Sequence, residues 1–182
     1  MIDFIFQNPA KMIFGRTALD HLGEEAVKYG NRVLLVYGGG SVKRIGLFDR
    51  VMEILHTAGI QVWELAGIVP NPRLSRVREG IDICRKENIG LVLALGGGSA
   101  IDTAKGIVNG VPDQGDVWDF YAGKRAPQKA LPLGVILTLP ASGSEMSYSS
   151  VITNEDGMLK RGYNSLTNVP TFSILNPEWS FT

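Results

Sequence analysis

Two runs of five apolar residues, VLLVY at 33–37 and LVLAL at 91–95, each lead straight into the tetrapeptide GGGS. An unbroken apolar run of this length suits a parallel strand with helices covering both of its faces. The three glycines then remove every Cβ at a point where the backbone must turn sharply or let another molecule approach its amides. Helical spacing follows each loop. In the first copy Ile45, Phe48, Val51 and Leu55 recur at intervals of three and four and predict a helix over 42–58 facing the sheet. Two copies of strand, GGGS and helix are too few, and too far apart, for a solenoid array. Two like loops at the carboxyl ends of parallel strands instead suit a crevice for an extended, two-part ligand.

The rest of the chain keeps the same rhythm as far as residue 139. Strands are predicted at 11–14, 32–37, 61–65, 90–95 and 133–139, with helices at 18–29, 42–58, 74–88 and 100–109. Gly30 and Gly59 stand just past helix ends and just before strands, where left-handed C-terminal glycines belong. The expected fold class is α/β: a Rossmann-like doubly wound parallel sheet, occupying residues 1–182 as one dinucleotide-binding domain. After residue 139 small polar residues predict a loop, then a β-hairpin appendage pairing 149–153 with 159–163 around the turn at 154–157. A last strand is expected at 171–175. Beyond it Trp179 and Phe181 are large apolar side chains with nothing after them, and the ending reads as truncated.

Eighteen basic residues balance eighteen acidic ones, so no field for gathering nucleic acid or an anionic membrane surface is expected. The N-terminus has no basic stretch followed by an apolar one, and no apolar run reaches the ~18 residues of a membrane span. A cytoplasmic location is the expectation. Cys84 falls in phase with Leu74, Val77 and Ile81, which predicts a buried apolar role for this lone thiol.

At residues 96–99 a helix start would turn its unsatisfied N–H groups and partial positive charge toward a phosphate. GGGS by itself reads as well as a plain tight turn; the strand before it and the helix after it favour the phosphate cradle. Neither the P-loop spacing nor the usual GxGxxG is present. Ser99 is expected to cap the following helix. Asp102 has two readings: a dipole partner at the helix start, or an acceptor for ligand hydroxyls or an amide near the loop. Lys105 reads as a solvated helix residue. In the first loop Gly38, Gly39 and Gly40 leave space, Ser41 offers a hydroxyl, and Lys43 adds charge nearby. An acidic residue often holds the adenosine ribose there, and its absence would tolerate a 2′-phosphate.

In order along the chain stand FQNPAKMIFG (6–15), VYGGGSVKRIG (36–46), VPNP (69–72), GGGSAIDTAK (96–105), TLPASGSE (138–145), VITNEDGMLK (151–160) and ILNPE (174–178). Together they resemble the iron-containing (group III) alcohol dehydrogenase family, particularly its NADP-dependent butanol dehydrogenase-like branch. The resemblance implies the N-terminal domain of a dehydroquinate synthase-like fold. Carried over by position, it implies that Gly97, Gly98 and Ser99 bind a pyrophosphate and that Asp102 lies near the nicotinamide end. Gly38, Gly39 and Ser41 would meet the adenosine ribose, with Asn71 on the adenine side. Thr138, Leu139 and Ser142 would line the cleft, and Ser144 and Ser147 would lie toward the nicotinamide. Lys160 would reach a cofactor ribose and Leu175 would pack nearby. Asn176 and Ala141 stand where the family often has Asp and Thr.

The resemblance further implies NADP as cofactor, with NAD as the alternative, and a small alcohol or aldehyde as substrate. In the family a helical second domain supplies one Asp and three His to Fe2+ or Zn2+, which polarises the alcohol oxygen while hydride passes to the nicotinamide. His21 and His56 match no ligand position and read as surface or partly buried helix residues, so this stretch is expected to bind NADP(H) and do little or no chemistry alone. A stand-alone nucleotide-binding regulator and a polyol or glycerol-phosphate dehydrogenase sibling are the competing readings. A homodimer is a candidate assembly.

Overall fold

A computed structural model of the chain describes Asp3 and residues 7–181. Its centre is a six-stranded, wholly parallel sheet: β1 (Lys11–Phe14), β2 (Arg32–Tyr37), β3 (Gln61–Leu65), β4 (Leu91–Gly96), β5 (Leu133–Leu137) and, numbered in chain order after a hairpin, β8 (Phe172–Leu175). The hairpin pairs β6 (Ser149–Asn154) with β7 (Leu159–Asn164) in antiparallel register, Val151 opposite Gly162. Sheet order is β1-β8-β5-β4-β2-β3. After β2 the chain steps outward to β3, then crosses back so that β4 pairs with the other side of β2. The strand order therefore reverses between β2 and β4, at the position where open α/β sheets leave a crevice beyond their carboxyl ends.

Helices lie on both faces, as the unbroken apolar strands require. Leu34 and Val36 point into a core shared with α4 (Leu74–Glu87) and α5 (Gly98–Gly110), while Val33, Leu35 and Tyr37 point into a second core with α1 (Leu22–Val27) and α3 (Leu47–Thr57). Each fully buried Val or Leu side chain is worth about 1.5–3 kcal/mol relative to exposure. Cys84 is buried in the first of these cores, in agreement with its helical phase. No helix among the described residues is long and apolar enough to cross a membrane.

Several boundaries differ from the sequence reading. The helix predicted over 42–58 is two: α2 (Ser41–Arg44) and α3, separated by Gly46 in the left-handed region at φ 72°. Ile45 consequently sits at the break, 54% exposed, and does not face the sheet. The first predicted helix opens as a tight 3-10 turn over Ala18–His21 before α1 begins. The fifth strand ends at Leu137, leaving Thr138 and Leu139 in the loop, and a short helix, α6 (Trp118–Tyr121), has no counterpart in the sequence reading.

Gly90, ahead of β4, is fixed by close approach: a Cβ there would lie 2.1 Å from the Tyr29 carbonyl oxygen. Backbone cannot yield as a side-chain tip can, so Gly90→Ala is expected to destabilise the fold by about 1–3 kcal/mol. Gly39→Ala, where a Cβ meets nothing within 4 Å, should stay within about 0.5 kcal/mol. Urea unfolding of the two variants separates these outcomes.

Candidate functional site

At the reversal of strand order lies a groove of about 230 Å3, and both GGGS loops contribute to it: Gly38 and Ser41 from the first, Gly96–Ser99 from the second, with Thr138 and Leu139 opposite and Ile68 and Pro70 at the side. Pairing of Tyr37 with Leu95 brings the two glycine runs level. Gly96 takes φ 154°, a conformation that side chains resist, and from there the chain turns directly into α5. The N–H groups of Gly98 and Ser99 open that helix and have no intrahelical acceptor. A Cβ on Gly98 would lie 2.6 Å from the Ser142 hydroxyl, so the absent side chain is what keeps the approach to these amides open.

Ser99 does not cap the helix. The N-cap position is Gly97, with no side-chain hydrogen bond, and Ser99 is the second residue of the first turn, lining the groove. The glycines start the helix two residues earlier than the helix periodicity predicts, and this shifts Ser99 out of the capping position. Asp102 acts as an acceptor within the chain: its carboxylate accepts from the Ser144 hydroxyl at 2.7 Å and from the Val151 N–H at 3.2 Å. Burial raises its pKa above the ordinary value, against the opposing effect of Ser144 and Lys105.

The other expected positions fall around this frame. Ser147 accepts the Ser149 N–H on its hydroxyl at 2.8 Å, within the loop that leads into β6. Lys160, on β7, donates to the Asn71 side-chain oxygen at 2.7 Å, and Asn71 follows the groove residue Pro70 in left-handed conformation at φ 57°. Gly39 is exposed within the first loop. Leu175 lies apart from the groove, in a neighbouring apolar hollow with Phe14 and Pro140 that shares Thr138 with it. Asn176 accepts from the Glu178 N–H at 3.0 Å.

Two charges are placed differently from the sequence reading. Lys43 packs over aromatic rings at the strand end before the loop, its ammonium 4.4 Å from the Phe48 ring centroid and 5.3 Å from that of Tyr37, whose hydroxyl donates to Glu64. Arg44 is the cation at the loop: a guanidinium nitrogen lies 3.1 Å from where a Cβ on Gly40 would stand. Lys105 is not solvated but wholly buried, donating to the carbonyls of Ser147 and Ser149 at 2.8 Å each. Ile68 and Pro70 are further lining residues that the motifs do not single out, although VPNP stands beside them.

A larger hollow, about 500 Å3 and wide open, lies between α1 and α3 near Val27, Ile54 and Ala58. Glu24 and Glu53 line it and no glycine loop does, so the chemistry of anion binding favours the smaller groove. His21 and His56 are exposed on their helices, and among the described residues no three His, Cys, Asp or Glu side chains group as a metal site requires.

Residues 9–177 match the family model for iron-containing alcohol dehydrogenases. The chain belongs to that family. Among family relatives, the probable NADH-dependent butanol dehydrogenase 1 of Bacillus subtilis (strain 168) is 52% identical over 182 residues, covering the whole of this chain and 47% of that protein. The NADPH-dependent aldehyde reductase of Escherichia coli (strain K12) is 35% identical over 185 residues, covering 100% of this chain and 47% of the reductase. The crystal structure of NADH-dependent butanol dehydrogenase A from Thermotoga maritima superposes with a TM-score of 0.94 at 42% identity, over 99% of this chain and 46% of that one. This member of the family thus spans about half the length of the relatives it matches.

Burial pushes the Lys105 ammonium down to about 8, against the pull of Asp102 and Glu145. Between that value and the ordinary lysine value of 10.5, the folded chain has released this proton while the unfolded chain still holds it. The unfolded state then binds more protons, so the contribution of Lys105 to stability rises with pH across that window. The unfolding free energy of the wild type minus that of Lys105→Met should therefore increase between about pH 7 and about pH 10. Urea titrations at both pH values measure it, and a flat difference contradicts the burial of a charged amine.

Proposed function

We propose that the chain is the cofactor-binding half of a metal-dependent alcohol or aldehyde oxidoreductase, and that the groove between β2 and β4 holds a nicotinamide dinucleotide. One observation carries this reading: two side-chain-free loops lie level at a strand-order reversal, and one of them opens directly into the unsatisfied amides of a long helix. The diphosphate lies on Gly97, Gly98 and Ser99, where fixed backbone donors and the helix dipole face its charge. Thr138, Leu139 and Ser142 form the opposing wall. Gly38, Gly39 and Ser41 receive the adenosine ribose, and Asn71 and Lys160 stand together at the end of the adjoining loop. Asp102, bonded to Ser144, sets the loop that continues through Ser147 toward the nicotinamide.

When bound, the dinucleotide supplies a hydride acceptor or donor at its nicotinamide ring. The residues of this chain bind it, orient it and shield one side of the groove from water. The described residues offer no donor set that fits Fe2+ or Zn2+. We assign the metal and the small alcohol or aldehyde to the part of the relatives' length that this chain does not span. Purified alone, the 182-residue chain is expected to bind dinucleotide without oxidising alcohols.

The relatives named above include both NADH- and NADPH-dependent proteins, and the ribose loop is what decides between the two cofactors. Gly38–Gly40 offers no carboxylate to a ribose 2′-hydroxyl, and the Arg44 guanidinium beside Gly40 complements a 2′-phosphate. NADPH is expected to bind more tightly than NADH in calorimetric titrations, and the reverse order would sink this assignment. Gly38→Asp should move the preference toward NADH by at least about tenfold, equivalent to about 1.4 kcal/mol. A Cβ at Gly38 comes within 3.2 Å of the Ile68 carbonyl, so Gly38→Ala serves as the control for space alone.

Gly98→Val tests the cradle. A branched side chain in the approach to the helix amides should weaken both dinucleotides by about tenfold or more, measured under conditions where the unfolding curve shows the variant fully folded, because its Cβ must displace the Ser142 hydroxyl. If neither dinucleotide releases heat with the unaltered protein, the groove does not have this function.

A further inference from the structure

Gly98, Asp102, Lys105 and Asn109 recur at the spacing that places them on one face of α5. The remaining faces of this helix carry Ile101, Ala104, Ile107 and Val108 into the apolar core. The polar face meets residues 142–168 instead. Gly98 lies under Ser142, and Asp102 accepts from Ser144 and Val151. Lys105 donates to the carbonyls of Ser147 and Ser149, and Asn109 donates to Asn168 at 2.9 Å. Asn168 in turn donates to the Tyr148 carbonyl. A continuous polar seam therefore runs from the phosphate cradle along three turns of one helix.

Lys105 is the costly member of this seam. Its side chain is wholly buried, and the charged groups that face it are Asp102 and Glu145. An apolar side chain of similar volume would fill such a place at lower desolvation cost, so stability does not explain the cation. Its two bonds explain it better. They grip carbonyls two residues apart and so fix the peptide run through Tyr148, which is itself 55% exposed and unable to anchor the loop by burial. The same loop begins at Thr138 and Leu139, in the groove wall.

We propose that Lys105 is a positioning residue that holds the 144–149 backbone in register with the start of α5, so that one helix sets both the diphosphate cradle and the nicotinamide-side wall of the groove. This rests on the dinucleotide reading given above and adds a residue that acts through others, touching neither cofactor nor substrate.

The test compares NADPH with 2′-phospho-ADP-ribose, which carries the same adenine, ribose and diphosphate but no nicotinamide. For Lys105→Met, affinity for NADPH should fall about tenfold while that for the fragment changes less than about twofold. Lys105→Arg, which keeps charge and donors, should recover part of the loss. Hydrogen exchange supplies a readout independent of any nucleotide: amides at 147–151 should lose protection in Lys105→Met while those in β2 and β4 keep theirs. If Lys105→Met does not fold, Lys105→Gln, which keeps an amide donor, is measured in the same way. Equal losses for NADPH and the fragment, or unchanged exchange at 147–151, overturn the proposal. Failure of the unaltered protein to bind either nucleotide overturns the dinucleotide reading instead, and the exchange measurement still judges the role of Lys105.

Discussion

The parallel pairing of β2 with β4 is the constraint from which the rest of the site follows. Parallel strands need crossovers, and here the two crossovers leave the shared edge in opposite directions, one toward β3 and one toward β5. No connecting segment can fill the gap above those two strand ends. Both chains leave it through glycines, so backbone, not side chain, forms its floor. A helix whose first amides lack acceptors then begins at the floor itself.

Polar groups occupy much of the boundary between this floor and the hairpin. The Tyr121 hydroxyl meets the Ser150 hydroxyl at 2.7 Å, and Tyr163 donates to Asn168 at 3.0 Å. Burial raises both phenols above their ordinary range, which keeps them protonated as neutral partners. Buried networks of this kind add little net stability, because each bond replaces one with water, but a shifted arrangement would leave several groups unpaired at ~1–3 kcal/mol each. They select one docking of hairpin on helix.

The sheet is readily legible in the sequence. Strands such as 33–37 have apolar residues on both faces, and a glycine run ends them, so period and punctuation agree. The break at Gly46 is harder to read because Ile45, Phe48, Val51 and Leu55 keep a helical period across it; only the left-handed glycine interrupts the backbone. Lys105 escapes a sequence reading for a different reason. A lysine on a helix face looks the same in sequence whether it meets water or two carbonyls forty residues away, and only tertiary packing distinguishes them. Ser99 and Lys43 mislead more locally: each has the right chemistry and lies near the loop, but a shift of two residues at a helix start or one ring stack redirects it. The family motifs locate the groove residues without showing that Asp102 and Ser144, or Asn71 and Lys160, bond to each other.

Where α4 crosses α5, glycines on each helix admit branched side chains from the other. Gly80 on α4 faces Ile107, while Gly106 and Gly110 on α5 face Val77 and Ile81; a Cβ at Gly80 or Gly110 would come within 2.3 Å of an isoleucine tip, and one at Gly106 within 2.8 Å of Val77. The two helices therefore engage like the teeth of two meshed racks. Interdigitation of this kind opposes sliding of one helix along the other and holds α5 in place. For the diphosphate proposed above, this means amides already aimed in the free protein, with little ordering entropy left for binding to remove.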